Sequence, residues 1–198
     1  DGEAIVFHDE TLDRLTTAAG RVDARTAAEL GRLAYRNGEG APPTLTAFLA
    51  EIAGRVPVIV EIKSRFDGDL RLADRAAAVA ADHAGPVALK SFDPRLVARL
   101  RAGGCALPLG VVAEASYEHG EWLHLPAATR RDLAALTHFS QCRPDFLSWC
   151  VEDLPHAAAT LCRDALGLPV MTWTVRTSAQ RARAARYADQ MIFEGFAP

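Results

Sequence analysis

Residues 56–64 read VPVIVEIKS, an apolar run of strand length that closes on Glu61 and Lys63. After a helical pattern at Asp69–His83, residues 85–92 read GPVALKSF, a second such run closing on Lys90. Strand, helix and strand in this order predict a parallel sheet with helices outside. The same alternation continues through strand runs at Leu107–Ala113, Asp145–Trp149, Val170–Val175 and Gln190–Glu194. Helical patterns at Pro94–Ala102, Ala127–Phe139, Leu154–Leu166 and Ser178–Tyr187 lie between or beside them. Upstream, Thr26–Leu33 and Thr44–Ala53 each open on a threonine suited to capping a helix.

Two lysines stand against 20 arginines, and both occupy strand ends. Where arginine fills the basic positions, a compact ammonium on a flexible stem suits a confined site that holds a phosphate or forms a Schiff base. The carboxyl ends of strands are where α/β barrels build their active sites. In a strand, residues i and i+2 share a face, so Glu61 and Lys63 point the same way. That pair reads equally as a cation ligand beside a phosphate contact or as a structural ion pair.

The bulk figures exclude several classes. At 198 residues, 49 % apolar and 24 % charged, the chain is an ordinary globular domain. A net charge of −3 gives no electrostatic case for nucleic acid or an anionic membrane. No apolar run approaches the ~20 residues that span a bilayer. Cys105, Cys142, Cys150 and Cys162 lack close pairing and read as buried thiols of a reducing compartment, so the expected location is cytoplasmic.

Six strands without a GxGxxG or GxxxxGK[ST] turn argue against a nucleotide-binding open sheet. A (β/α)8 barrel fits better, two strands short of the ~250 residues typical of that fold. The opening DGEAIVFHDE reads as the second arm of a hairpin turning at Asp1-Gly2. The expectation is a single incomplete barrel domain over 1–198 that begins inside the fold.

The segment FHDETLDRLTT, residues 7–17, places an imidazole beside a carboxylate that can fix its tautomer. By itself a His-Asp pair also suits a surface turn. Joined to PTLTAFL, VEIKS, LKSFDPRLV and MTWTV in that order, it resembles the glycerophosphodiester phosphodiesterase family over nearly the whole chain. The most specific parts are the HD-x-x-L-x-R-x-T block and the EIK tripeptide, with 53 residues from His8 to Glu61. The resemblance implies a TIM barrel of the phosphatidylinositol-phosphodiesterase-like type that hydrolyses glycerophosphodiesters to an alcohol and glycerol 3-phosphate. It implies a divalent cation, Mg²⁺ or Ca²⁺, with Glu61 as a ligand and His8 as one of two catalytic histidines. Lys63 looks like a phosphate or glycerol ligand and Trp173 an aromatic lining the pocket, whereas Lys90 reads on its own as a phosphate or lid contact, or as a salt bridge at the barrel rim.

The family's His-Arg-Gly motif and Glu-x-Asp pair have no counterpart in this sequence. The last strand ends in FEGF where the family often has Thr-Asp, and Lys90 stands where glutamine is commoner. The alternatives are a barrel that only binds a phosphoryl ligand, or a Schiff-base aldolase using Lys90. Of the other candidates, Glu114 reads as an exposed loop carboxylate, His119 and His124 as rim or lid, and Glu194 as facing the pocket. His83, His138 and His156 fall on helical patterns and read as structural.

Overall fold

The computed structural model describes residues 1–197 and divides them into two compact units. The first comprises Asp1–Val58 and Arg71–Val87, the second Ile59–Leu70 and Ala88–Pro198.

In the first unit the opening residues are tied in by isolated bridges. Ile5 makes an isolated antiparallel bridge to Thr44, and Thr11 and Thr16 bridge Arg21 and Tyr35. The HD-x-x-L-x-R-x-T block is built around two buried residues, Leu12 and Thr16. The Thr16 hydroxyl donates to the Leu12 carbonyl at 3.0 Å and accepts from the Ala18 amide at 3.1 Å, closing the turn on itself. Helix α1 (Ala27–Leu30) opens on a reciprocal capping box between Thr26 and Glu29. Helix α2 (Leu45–Ile52) opens on Thr44, whose side chain accepts from the Ala47 amide. Helix α3 (Arg71–Ala81) buries Ala73, Ala76 and Ala80, one stripe at helical spacing.

The second unit holds the sheet. Its strands are β1 (Val58–Glu61), β2 (Val87–Ser91), β3 (Leu109–Ala113), β4 (Phe146–Cys150), β5 (Val170–Val175) and β6 (Gln190–Phe193). Val58 and Val87, at the leading ends of β1 and β2, belong to the first unit. The strands stand in sequence order, and the pairs from β2 to β6 are parallel. Strands β2 and β3 are buried at every position, as expected where both faces are covered. Helix α4 (Pro94–Ala102) starts on Asp93 with proline in its first turn, and α8 (Ser178–Tyr187) starts on a Thr177–Gln180 capping box. Gly110 is required by packing: a Cβ there would stand 2.2 Å from the Phe146 ring.

Two predicted helices are broken. The Ala127–Phe139 pattern becomes α5 (Ala127–Ala134) and α6 (Phe139–Cys142), because Leu136 turns to a positive φ of 52°. The Leu154–Leu166 pattern starts only at α7 (Ala157–Thr160), with His156 as its cap, and runs on into a π turn at Leu161–Ala165. Pro155 removes a backbone donor where that helix was expected to begin.

Candidate active site

Three of the expected site residues meet in the second unit. Lys63 Nζ donates to Glu61 Oε1 at 2.5 Å, and Lys90 Nζ lies 3.5 Å from Glu61 Oε2, so each carboxylate oxygen faces its own ammonium. Backbone bonding fixes this geometry. The Ile62 amide donates to the Lys90 carbonyl at 2.7 Å, and the Ser91 hydroxyl donates to the Ile62 carbonyl at 2.7 Å. Lys63 is exposed and Lys90 is buried, with 5 % of its surface accessible.

The electrostatics follow from that contrast. Burial alone would raise the Glu61 pKa, but the charges of Lys63 and Lys90 outweigh it and hold the carboxylate below its ordinary value. For Lys90 burial dominates and lowers the pKa, opposed by Glu61 and reinforced by the like charge of Lys63. Lys90 also donates to the Ser148 hydroxyl at 3.2 Å. The indole of Trp173 donates to the carbonyl of the same Ser148 at 3.1 Å, which ties the expected lining aromatic to the lysine through one residue. Phe92 stands edge-on to Trp173 at 5.4 Å and against Trp122 at 4.9 Å, extending an aromatic wall. An open cavity of about 420 Å³ is lined by Ile59, Glu61 and Lys90 on one side and Met191, Ile192 and Phe193 on the other.

His8 belongs to the first unit. Its side chain is 73 % exposed, and Nδ1 lies 2.8 Å from Asp9 Oδ1. Arg14 clamps both oxygens of Asp9, at 2.6 Å each. The motif's arginine therefore holds the carboxylate that orients the histidine. Arg14 above all, opposed by burial and aided by His8, lowers Asp9 to about 2. A depressed acid stabilises the fold above its ordinary value, 3.8, and the contribution is lost as pH falls through about 2. Because Arg14 is exposed, the effect is about 1 kcal/mol or less. Acid melts of Asp9→Asn should therefore fall below wild type at neutral pH and converge with it between about pH 4 and 2. A gap that persists at the acid end would refute this.

Other expectations are corrected. Glu114 is buried rather than an exposed loop carboxylate. Glu194 is exposed and pairs with Arg176 at 2.7 Å instead of facing the cavity. Ser148 and Phe92 escaped sequence reading. Strand alternation could have flagged Ser148 as a polar residue inside an apolar run.

The model of the glycerophosphoryl diester phosphodiesterase family matches residues 1–196. The chain belongs to this family. Membership makes it a phosphoric diester hydrolase of the glycerophosphodiester class. Solved structures agree on the fold. A phosphodiesterase of Oleispira antarctica, in complex with the product sn-glycerol-3-phosphate, superposes with a TM-score of 0.77 at 17% identity. The match covers 98% of this chain and 76% of that one. A glycerophosphodiester phosphodiesterase of Thermotoga maritima gives 0.69 at 20% identity, over 96% and 75% of the two chains. No curated protein matches the chain. Among the described residues no helix of this family member is long and apolar enough to cross a membrane.

Proposed function

We propose that this chain hydrolyses glycerophosphodiesters to an alcohol and glycerol 3-phosphate, using Lys63 and Lys90 on the phosphoryl group, Trp173 in the pocket wall and His8 as general acid. The observation that carries the proposal is the meeting of Glu61, Lys63 and Lys90 beside an open cavity, in a chain of this family. Two ammonium groups against one carboxylate leave net positive charge where a phosphodiester anion would bind. That charge counts for most where negative charge grows on the phosphoryl oxygens in the transition state. His8 protonates the departing alkoxide, a leaving group too basic to depart unaided. The same reading takes residues 1–198 as one domain, its six strands part of an eight-stranded barrel of the phosphatidylinositol-phosphodiesterase-like type.

The resemblance adds a divalent cation, Mg²⁺ or Ca²⁺, at Glu61, where it would offset phosphoryl charge. Such ions take about six to eight oxygens. Glu61 offers two, and each already faces an ammonium, so the described residues do not by themselves fit the ion. The roles assigned above use the chain's own groups. The full pairing of Glu61 also favours a second reading, a barrel that binds a phosphoryl ligand without turnover.

One assay separates the two readings. Glycerophosphocholine and glycerophosphoethanolamine are incubated with the protein, with and without added Mg²⁺ or Ca²⁺, and glycerol 3-phosphate is measured. Release of glycerol 3-phosphate is the expected result. Binding of either compound without release under every cation condition would leave only the second reading.

A further inference from the structure

Beside the lysine pair, aromatic side chains form a corner. Lys90 pairs in register with Gly110 and Gly110 with Phe146, and partners in a parallel sheet share a face. Ser148 and Cys150 follow Phe146 at two-residue steps, and Trp173 is in register with Cys150. Lys90, Ser148 and Trp173 therefore stand on one face toward the carboxyl ends of their strands, and Phe92, two residues past Lys90, joins them. The rings of Phe92 and Trp173 are inclined at 80° with centroids 5.4 Å apart, so their faces meet nearly at a right angle. Trp122 backs Phe92 at 4.9 Å. Phe92 and Trp173 are only half-buried, whereas Trp122 is buried. Ser148 fixes the corner relative to the lysine, taking Lys90 on its hydroxyl at 3.2 Å and the Trp173 indole on its carbonyl at 3.1 Å.

Such a corner suits a cation. Ring faces carry the negative part of the aromatic quadrupole, and two faces at a right angle can meet one positive centre together. Charge around the site is divided in the same sense. Lys63 lies just past β1 and Lys90 in β2, whereas Glu114 lies just past β3 and Asp153 in the turn after β4. A ligand with its anion on the lysines therefore has aromatic faces and acids on its other side. The acceptors near the corner narrow the kind of cation. Both oxygens of Ser148 are engaged as above. Glu114 is bonded by His119 at 3.2 Å and by the Trp122 indole, and Asp153 accepts from the Ala115 amide at 2.7 Å. A primary ammonium brings three N–H donors that need acceptors. A quaternary ammonium brings none, and its charge is spread over methyl groups that pack on ring faces.

We propose that Phe92 and Trp173 bind the quaternary ammonium of a zwitterionic phosphodiester whose phosphate lies on Lys63 and Lys90. The site then selects choline-type esters over ethanolamine-type and neutral ones. The place of the phosphate rests on the phosphodiesterase reading above; the place of the cation rests on the ring geometry. Ser148 sets the spacing between the two ends of the ligand, because one residue holds both the ammonium of Lys90 and the indole of Trp173.

Calorimetric titration of the full chain with three phosphate monoesters tests this without any assay of turnover. The probes are phosphocholine, phosphoethanolamine and neohexyl phosphate, the uncharged carbon isostere of phosphocholine. All three carry the same phosphoryl group, and a diester hydrolase does not consume them. Phosphocholine should bind about tenfold more tightly than either of the others. Phe92→Leu should bring phosphocholine to the affinity of the neutral isostere, and Phe92→Tyr, which keeps a ring face, should retain the preference. In the wild-type protein, which needs no variant, equal affinity for phosphocholine and either other probe overturns the proposal. So does a failure of phosphocholine to bind, or a preference that survives Phe92→Leu. Release of glycerol 3-phosphate from glycerophosphocholine is scored separately. Release with equal affinities refutes the head-group site alone, and a preference without release refutes turnover alone.

Discussion

Glu61→Gln should cost activity and stability together. The substitution keeps the shape of the side chain and removes the charge that faces both Lys63 and Lys90. Lys63 is exposed and can turn to water. Lys90 is buried, and its remaining partner is the Ser148 hydroxyl. Breaking a fully buried pair typically costs ~3–5 kcal/mol. Partial access of solvent to Glu61, whose side chain is 24 % exposed, brings the expectation down to ~1–3 kcal/mol. At ~2–4 °C per kcal/mol for a domain of this size, the melting temperature should fall by several degrees. Turnover should drop by ~10² or more, since Lys63 and Lys90 lose the carboxylate that holds them in position. The pH dependence identifies the cause. The Lys90 pKa is already lowered by burial, and loss of Glu61 lowers it further. A lysine depressed in the folded state disfavours folding at low pH, and stability recovers as pH rises through the folded value. The deficit of Glu61→Gln should therefore shrink between pH 7 and the ordinary lysine value, 10.5. An equal deficit at both ends would mean that the loss comes from packing and not from a stranded ammonium.

The parts of this site that sequence revealed are those set by local rules. Glu61 and Lys63 share a face because strand side chains alternate, and that needs no tertiary information. The limits of α4 and α8 coincide with expectation because Asp93-Pro94 and Thr177-Ser178 are start signals with a mechanism. Lys90 could be singled out by composition. Its approach to Glu61 depends on strand pairing across 29 residues, which no local pattern specifies. Glu114 was misread for the same reason. Its burial is decided by Tyr117 and Trp122, which fold the loop after β3 back over the strand end. The two broken helices failed through backbone chemistry, a left-handed Leu136 and a proline at 155, which hydrophobic periodicity does not register.

His8→Ala should lower kcat by ~10²–10⁴ and leave the fold intact. The stability half follows from exposure: a ring 73 % open to solvent supports no core, and such substitutions stay within about 0.5 kcal/mol. The kinetic half follows from orientation. Arg14 fixes Asp9 through both oxygens, and Asp9 engages Nδ1 of His8, so the opposite nitrogen, Nε2, is left to exchange a proton with substrate. A general acid matters in proportion to the basicity of the group it protonates. For a glycerophosphodiester with an alkyl leaving group the loss should be near the upper end of the range. With a nitrophenyl leaving group, which departs as a stable anion, most of the loss should vanish. Equal losses on both substrates would remove His8 from the role of general acid and leave it as a binding residue. An unchanged kcat on the alkyl substrate would remove it from the reaction altogether. The Asp9–Arg14 pair would then be only the clasp of a surface turn.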